Sequence, residues 1–181
     1  PGGATINFGA GVTRTNLSMD VLGDFIDEAN ETITVTLTNP TGTNIPGTGV
    51  ISGSASAATT IIDDDSANVV VTPTTLTLSE PNGSDTFNIR LTSQPTATVT
   101  IGLSTGSDEC TFPASVNLTD LNWDVGVTVT VTAVDDQISD GPQSCLIVTA
   151  PTSSSDPVYN NTFNPSDVNV TVNDDDIRGV S

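Results

Sequence analysis

The feature that most constrains the fold is an acidic pattern that occurs twice. The first copy runs from Asp24-x-x-x-Glu28 to a triplet at 63–65, and the second from Asp136-x-x-x-Asp140 to a triplet at 174–176. Asp24 and Asp63 are 39 positions apart, Asp136 and Asp174 are 38 apart, and the two triplets lie 111 positions apart. A pattern that returns at such a distance indicates tandem copies of one domain. Clustered carboxylates also suit a hard cation, above all Ca²⁺.

The charge of the chain limits the classes of partner that it can bind. The formal net charge is -19 over 181 residues, with three arginines (Arg14, Arg90 and Arg178), no lysine and no histidine. Three arginines among so many acids cannot neutralise a row of phosphates, so we exclude nucleic acid and an anionic membrane surface as partners. Catalysis by histidine or lysine is excluded as well. A glycosidase needs a cleft with aromatic platforms, and only 4% of the residues are aromatic. The sequence therefore predicts a protein that is not an enzyme.

We expect this stretch of sequence to carry neither a membrane span nor a leader. No apolar run approaches the ~20 residues that a membrane span requires, so we expect no direct insertion into a membrane. No secretory signal peptide begins the sequence. Pro1-Gly2-Gly3 is an unusual start for a gene product. We therefore expect the sequence to be a segment of a longer, processed or tandem polypeptide.

Alternation of apolar and polar residues predicts an all-β fold. It is clearest in segments 32–38, 127–133 and 167–172, where polar residues, mostly threonine, alternate with apolar ones, mostly valine. β-Branched residues in this pattern fit half-buried strands. Further strands are predicted at 68–71, 76–78, 86–91, 98–103 and 115–118, with turn signals such as Pro81-Asn82-Gly83-Ser84 between them. Seven or so short strands in roughly 110 residues indicate an Ig-like antiparallel β-sandwich.

The strands are unevenly divided between the two copies. Residues 66–176 contain enough strands for a complete sandwich, whereas residues 1–65 contain predicted strands only at 4–8, 17–22, 32–38 and 57–62. The first copy therefore corresponds to the C-terminal part of a sandwich, and alone it leaves unpaired edges and an uncovered apolar face. Either upstream residues or another subunit supply the missing strands. Residues 177–181 are assigned to the start of a following repeat or to a linker.

Several segments resemble one known family. VLGDFIDEANETITVTLTNP at 21–40 and ATTIIDDD at 58–65 are similar to the second half of a Calx-beta domain. That family occurs in the sodium–calcium exchanger, in integrin beta-4 and in many large extracellular repeat proteins. Residues 66–176 resemble a divergent extracellular branch, through VTPTTLTLSE at 71–80, Asn122-Trp123, Val134-Asp-Asp136 and SDPVY at 155–159. The resemblance covers nearly the whole chain and implies tandem Calx-beta-like β-sandwiches.

The resemblance implies a set of Ca²⁺ ligands. An isolated acidic triplet is usually a solvated turn, but two triplets that recur with a spaced partner motif favour metal binding. Gly23 stands where the second repeat has Asp135, and Gln143 stands where the first has Glu31, so ligand charge differs between the sites. Asp108 and Glu109 lie in a loop where the family places a further acid, although the local match is poor. The implied ligands are Asp24, Glu28, Glu31, Asp63, Asp64 and Asp65 in the first repeat, and Glu80, Asp135, Asp136, Asp140, Asp174, Asp175 and Asp176 in the second.

Topology explains how such scattered acids meet. Successive loops of an antiparallel sandwich alternate between its two ends, so Glu80, the loop with Asp108 and Glu109, the loop at 135–140 and the triplet at 174–176 share one pole. Without a cation these carboxylates would repel one another strongly. The opposite pole must face the first triplet, because only Ser66 and Ala67 precede the next strand. We therefore expect Asp156, or Asp120 or Asp124, to approach the first site and to stiffen the junction when Ca²⁺ is bound.

Two cysteines and several sequons bear on the cellular compartment. Cys110 and Cys145 are an even pair in a chain that we expect to be secreted, which favours a disulfide over two buried free thiols. Candidates for N-glycosylation are Asn16, Asn82, Asn117, Asn160 and Asn169, whereas Asn30 lies within the first acidic motif. Serine and threonine clusters could carry further glycans. Trp123 either stacks on a sugar or packs in the domain.

Three functions remain open. The first is an extracellular or cell-surface structural or adhesive protein, in which Ca²⁺ stiffens tandem sandwiches into a stalk, fibre or filament. The second is a regulatory calcium sensor coupled to a membrane protein, and the third is a carbohydrate-binding accessory module. A disulfide favours the first, since a cytosolic sensor keeps its thiols reduced. The expected partners are neighbouring repeats, other filament subunits, and a surface receptor or glycan.

Overall fold

The computed structural model describes residues 5–7, 9, 11–12, 14–38 and 56–178. Within these ranges the chain forms eleven β-strands and no helix, and so it offers no helix with the length and apolarity to cross a bilayer. The strands are β1 (Glu31–Thr36), β2 (Ser56–Ile61), β3 (Val69–Thr72), β4 (Thr75–Ser79), β5 (Ser84–Leu91), β6 (Val99–Ser104), β7 (Cys110–Thr111), β8 (Ser115–Leu118), β9 (Val127–Ala133), β10 (Gln143–Thr149) and β11 (Val168–Asn173).

Strands β3 to β11 form a two-layer sandwich. One sheet has five strands in the order β4-β11-β10-β6-β8, and the other has four in the order β3-β5-β9-β7. Neighbouring strands are antiparallel, except that β4 runs parallel to β11. The prediction of an all-β, Ig-like sandwich is therefore confirmed for this part of the chain.

Alternating side chains fill the space between the two sheets. In β9 the inward residues Val129, Val131 and Ala133 are buried, whereas the threonines between them point outward. Phe87 in β5 and Ile147 in β10 are also fully buried. Burying one such side chain stabilises the fold by about 1.5–3 kcal/mol. The period-two pattern of the sequence thus becomes the inner face of each sheet.

A disulfide joins the two sheets. Cys110 in β7 belongs to the four-stranded sheet, and Cys145 in β10 belongs to the five-stranded sheet. Their Cα atoms are 6.1 Å apart, and 35 residues separate them in sequence. Both half-cystines are buried in the core. The predicted disulfide is confirmed, and it lies one residue from Glu109.

The first repeat contributes a pair of strands that matches β10 and β11. Strands β1 and β2 are antiparallel, with Glu31 opposite Ile61, just as Gln143 lies opposite Val172. Residue 31 plus 112 gives 143, and residue 61 plus 111 gives 172. The pairing register of the two repeats is therefore the same. The first sandwich is incomplete within the described residues.

Two strands predicted in the first repeat are not observed as such. Residues 17–22 are described but form no strand, because no described segment pairs with them. The strand predicted at 4–8 is described only at 5–7, where the chain is again not a strand, and residues 4 and 8 lie outside the described residues. The strand predicted at 32–38 ends earlier, at Thr36.

Candidate metal centre

The parallel pairing of β4 and β11 brings the main acids of the second repeat together. Glu80 directly follows β4, and Asp174, Asp175 and Asp176 directly follow β11. The N–H of Glu80 donates to the carbonyl of Asn173 at 3.0 Å, which continues the ladder to the ends of both strands. Parallel strands end at the same edge, so these carboxylates must share one pole of the sandwich.

Two overlapping groups of carboxylates are close enough to share an ion. One oxygen each of Glu80, Asp174 and Asp176 lie within 4.8 Å of one another, and so do oxygens of Glu80, Asp135 and Asp175. Oxygens bound to one Ca²⁺ at 2.3–2.6 Å are at most about 5 Å apart. The separations therefore suit a common ion, and Glu80 belongs to both groups.

Backbone hydrogen bonds hold Asp174 in its charged form. Its Oδ2 accepts a bond from the N–H of Gly141 at 2.8 Å, and its Oδ1 accepts one from the N–H of Asp176 at 2.7 Å. Gly141 has a φ of 79°, a conformation that side chains with a Cβ disfavour. These donors, first that of Gly141, lower the pKa of Asp174. The carboxylate is thus preorganised as an anion.

Other acids at this pole are destabilised as anions. Burial raises the pKa of Glu80, and the charges of Asp136 and Asp174 raise it further. The pKa of Asp176 is raised by burial and then by Asp174 and Asp175. Each of these groups would hold its charge more easily beside a cation.

One buried oxygen indicates where positive charge is missing. Asp176 Oδ2 is buried and receives no hydrogen bond from the described residues. A buried, unpartnered carboxylate oxygen is costly, and an ion at this position would remove that cost. A hard, oxygen-seeking cation such as Ca²⁺ therefore fits the residues that are present.

The remaining predicted ligands of the second repeat lie around this group. Asp136 Oδ1 accepts the N–H of Ile138 at 2.6 Å and so shapes the loop. Asp140 is exposed, and its charge helps to raise the pKa of Glu109. Gln143 uses its amide nitrogen to donate to the carbonyls of Asp140 and Gly141, so it braces the loop that carries Asp140.

The first repeat is built with the same internal bonds. Asp24 Oδ1 accepts the N–H of Ile26 at 2.9 Å, as Asp136 does in the second repeat. Asp63 Oδ2 accepts the N–H of Glu28 at 3.3 Å, and its Oδ1 accepts the N–H of Asp65 at 3.5 Å. Asp174, 111 residues later, likewise accepts the N–H of the second residue after it, Asp176, and an N–H from the facing loop, there that of Gly141. Two sequences with few identical residues therefore fold into one loop geometry.

The first cluster is looser than the second. Burial and then Asp24, Glu31 and Asp63 raise the pKa of Glu28, and burial and then Asp64 raise the pKa of Asp65. The acids are thus near one another. In the described part of this repeat, however, no three carboxylates bring oxygens within 4.8 Å of one another. No counterpart of Glu80 is present there.

The loop at 24–28 also contacts the second repeat. The carbonyl of Phe25 accepts the N–H of Gln94 at 2.6 Å, and the ring centroids of Phe25 and Trp123 are 5.9 Å apart. Asp27 Oδ2 accepts the N–H of Ala67, in the connection between the repeats, at 2.6 Å. Asp24 and Glu28 lie near the acidic triplet at 63–65, whereas Phe25 contacts the second repeat and Asp27 contacts the connection to it. We call residues 24–28 the junction loop.

Asp156 lies at the junction but is bound to backbone. It is 3% exposed, its Oδ2 accepts the N–H of Thr96 at 2.8 Å, and its Oδ1 accepts the N–H of Val158 at 2.9 Å. It shares a cavity of about 220 Å³ with Asp27 and Glu28. Asp156 therefore anchors the loops that face the first repeat, and an approach to the first ion remains a prediction.

The other two candidates at this pole take a smaller part. Asp120 and Asp124 are exposed. Asp120 contacts the junction region through its carbonyl oxygen, which accepts the side-chain amide of Gln94 at 3.1 Å. The side chain of neither residue has a described hydrogen bond to the first repeat.

Two residues at these sites were underrated or missed by sequence reasoning. Burial and then Asp136 raise the pKa of Glu109, which places this acid at the second cluster. The poor local match hid it, although the alternation of loops put its loop at the correct pole. Asp27 was not singled out, and its counterpart 112 positions later is Ser139. This extra acid in the first repeat was the available signal.

The sequons are accessible. Asn16, Asn82, Asn117, Asn160 and Asn169 are all exposed. Asn30 instead accepts the N–H of Asp63 through its side-chain oxygen at 2.8 Å, so it supports the first acidic cluster.

Comparison with known proteins gives one family. The sequence model of the Calx-beta domain matches residues 1–66 and again 63–176. No curated protein sequence matches the chain. The family assignment rests on this repeated match.

Several solved structures are similar to the chain at low identity. The apo form of Calx CBD1 is 17% identical, with a TM-score of 0.41, and the similarity covers 60% of this chain and 96% of that one. CBD12 from CALX1.2 is 14% identical, with a TM-score of 0.42, over 60% of this chain and 45% of that one. WR4, a C. elegans MSP family member, is 13% identical, with a TM-score of 0.36, over 59% and 96%.

Proposed function

The chain belongs to the Calx-beta domain family, and on that premise we propose that it is a Ca²⁺-stiffened pair of sandwiches in an extracellular structural or adhesive protein. Such a pair would form part of a stalk, fibre or filament. In this proposal residues 1–65 and 66–176 are the two repeats, and residues 177–181 lead into a following repeat or linker. No catalytic role is part of it.

The double contact of the junction loop carries the proposal. Its acids, Asp24 and Glu28, lie against the first triplet, and Phe25 and Asp27 hold the second repeat. Repulsion among the acids acts directly on the loop that orients the neighbouring repeat. An ion that cancels this repulsion would therefore fix the loop and with it the angle between repeats.

In the second repeat the carboxylates that would hold the ion are those of Glu80, Asp135, Asp174, Asp175 and Asp176. When bound, Ca²⁺ supplies positive charge to a pole where the charged neighbours that raise the pKa values of Glu80 and Asp176 are all acids. Because only the folded state assembles this pole, binding stabilises folding by mass action. The gain is about 2.7 kcal/mol at a free ion concentration one hundred times the Kd.

An extracellular or cell-surface location is supported by the disulfide. Cys110 and Cys145 are bonded and buried, and reducing cytosol does not sustain such bonds in most organisms. The exposed sequons are compatible with a glycoprotein. Neighbouring repeats and other filament subunits are the partners that we propose, with a surface receptor or glycan at the end of the assembly.

A regulatory calcium sensor is the second candidate, and the junction loop favours it too. A loop that touches both an ion site and a neighbouring domain can report occupancy as well as stiffen a rod. Affinity separates the two functions: a sensor binds Ca²⁺ at about 10⁻⁷–10⁻⁵ M, whereas extracellular modules bind at about 10⁻⁴–10⁻³ M. A carbohydrate-binding role has less support, because the ring of Trp123 packs on Phe25.

Thermal unfolding of the full chain tests the ion site. We expect Ca²⁺ to raise the Tm by about 5–10 °C over stripped buffer, and Glu80→Gln to remove at least half of that rise, because Glu80 belongs to both carboxylate groups. Asp20→Asn, an exposed acid outside both carboxylate groups, is the matched control and should keep the full rise. A Glu80→Gln protein that responds like wild type, or a wild type that does not respond, contradicts the proposal.

A further inference from the structure

One flank of the second sandwich carries no charge. The five-stranded sheet β4-β11-β10-β6-β8 packs its inner face on the core and turns its outer face to the side, between the two poles. None of the residues in these five strands is acidic or basic, although the net charge of the chain is -19. The opposite sheet, by contrast, includes Asp85 and Arg90 in β5. The outer face of the five-stranded sheet is therefore the neutral side of a strongly acidic domain.

The centre of this outer face is apolar. Strand β10 is the middle strand of the five, and its outward residues Leu146 and Val148 are 40% and 41% exposed. The outward residues of the four flanking strands are threonine, serine, asparagine and glycine. An apolar centre within a neutral, polar rim is the arrangement that protein–protein interfaces share.

A second copy of the chain fits this face on grounds of charge. Two chains of net charge -19 repel each other wherever their acids approach, and such a charge normally keeps a protein monomeric. Contact through the neutral face adds no pair of acids, because each copy places only uncharged side chains there. A two-fold arrangement brings Leu146 and Val148 of one copy onto the same residues of the other. Both apolar centres are then buried by one contact.

We propose that the outer face of the five-stranded sheet is a lateral contact between two copies of this chain, centred on Leu146 and Val148. Five strands about 4.8 Å apart and about 20 Å long give a footprint of roughly 480 Å² on each copy. The total of about 1,000 Å² is less than a standard interface buries, so one pair of domains associates weakly. Repetition of the contact along neighbouring rods would strengthen it by multivalency.

The matching face of the first repeat is neutral but has no apolar centre. Subtracting 112 places Thr34 and Thr36 at the positions of Leu146 and Val148. Both threonines are exposed, and no outward residue of β1 or β2 is charged. The first repeat therefore permits the contact without driving it, and the second repeat determines where two chains meet.

One candidate glycosylation site lies on the contact face. Asn169 in β11 is exposed and lies directly opposite Leu146 in the strand register. A glycan on Asn169 would cover the apolar centre, so only copies that are unmodified there can associate. As a lateral contact in a filament, the inference deepens the proposed function and rests on it, but the contact itself requires no Ca²⁺.

Dilution of the full chain, produced without glycosylation and kept in chelator, tests the contact. Amide NMR shifts are compared between about 0.05 and about 1 mM protein, a range that suits a weak interface. We expect the shifts of β10 and of the adjoining parts of β6 and β11 to change with concentration. Association should be stronger at high salt, because screening reduces the repulsion between the copies.

Three variants locate the contact. Leu146→Asp should weaken association at least about tenfold, because two carboxylates would face each other at the centre of the interface. Leu146→Thr, which copies Thr34 of the first repeat, should weaken it several-fold without adding charge. Thr130→Asp adds the same charge on the outer face of the opposite sheet and should leave association unchanged.

Three results would overturn the contact. They are shifts that do not depend on concentration at high salt, association that weakens with salt, and shifts confined to residues 17–21 and 58–62 that Leu146→Asp does not alter. The rise of Tm with Ca²⁺, measured on the same protein, separates this inference from the proposed function. Loss of the contact with an intact rise contradicts the contact alone, and a contact that persists without a rise contradicts the proposed function alone.

Discussion

At the scale of single residues, neighbouring donors decide how each acid behaves. Asp174 and Asp176 are two positions apart and are both half-buried. Asp174 receives backbone N–H groups on both oxygens, while Asp176 Oδ2 receives none from the described residues. The pKa of the first is therefore lowered and that of the second raised. The fold therefore stabilises the charged form of Asp174, whereas the charged form of Asp176 would be stabilised only by a cation.

This difference predicts an unusual pH dependence without metal. Acids with raised pKa values bind protons more tightly in the folded protein than in the unfolded chain. These acids are Glu28, Asp65, Glu80, Glu109 and Asp176. Stability should therefore rise as pH falls from neutral towards their unfolded pKa values of about 4. Asp174 acts in the opposite sense, and its contribution is lost only below that range. Denaturant unfolding in metal-free buffer at several pH values measures this.

Calcium should reverse the trend. Protons compete with the ion for the same oxygens, so with excess Ca²⁺ the free energy of unfolding should fall over the same pH interval. Stability that falls on acidification in both buffers would mean that repulsion at the two poles is unimportant.

At the scale of structural elements, the disulfide positions an acid as well as joining two sheets. Replacing both Cys110 and Cys145 by serine opens a 35-residue loop and should cost roughly 2–4 kcal/mol of stability. Because Glu109 is adjacent to Cys110, Ca²⁺ affinity should fall as well. Denaturant unfolding with calcium titration of the double variant measures both effects. Unchanged Ca²⁺ affinity would mean that the disulfide does not position Glu109 for ion binding.

The junction loop gives a second prediction at this scale. Phe25 is 62% exposed, so Phe25→Ala should change the stability of each repeat by less than about 1.5 kcal/mol, the range of an aromatic pair. It should nevertheless uncouple the repeats, because the contact with Trp123 is lost. NMR relaxation of the variant in Ca²⁺ should show the two repeats tumbling separately. Leu121→Ala, an exposed apolar residue near Trp123 in sequence, is the control and should keep them coupled.

Strands were predictable from sequence where the alternating pattern of the segment coincides with pairing and packing partners in the fold. Strands β8 and β9 have the predicted bounds, 115–118 and 127–133, because their alternating side chains meet a complete opposite sheet. Leu17, Met19 and Val21 alternate in the same way but form no strand. A strand is defined by pairing, and the described residues provide no partner there. Alternation alone therefore predicts which side chains point in the same direction, but it does not predict that the segment pairs as a strand.

Other elements had no local signal. Strand β10 carries the apolar run Cys145-Leu-Ile-Val148, in which Leu146 and Val148 point outward, so alternation is hidden. The position of Glu109 depends on the pairing of β7 with β9 and on the disulfide, which are contacts far apart in sequence. The pole around Glu80 was predictable because it follows from topology alone.

At the scale of the whole molecule, two similar repeats are joined by a connection too short to act as a free linker. Ser66 accepts a hydrogen bond from Thr92 in the second repeat, and Ala67 donates to Asp27 in the first. The first acidic pole thus lies next to the second repeat. A longer array built in this way would place one ion site at every junction, so that calcium would set the stiffness of the whole.

The most direct measurement is ¹⁵N relaxation of the full chain in millimolar Ca²⁺ and in chelator, comparing rotational correlation times for residues of the two repeats. With Ca²⁺, both repeats should share one correlation time, as expected for a single rigid body. In chelator, repulsion among the acids should free the junction loop from the second repeat, and the two repeats should give distinct, shorter correlation times. Correlation times that are the same in both buffers would contradict calcium-dependent stiffening.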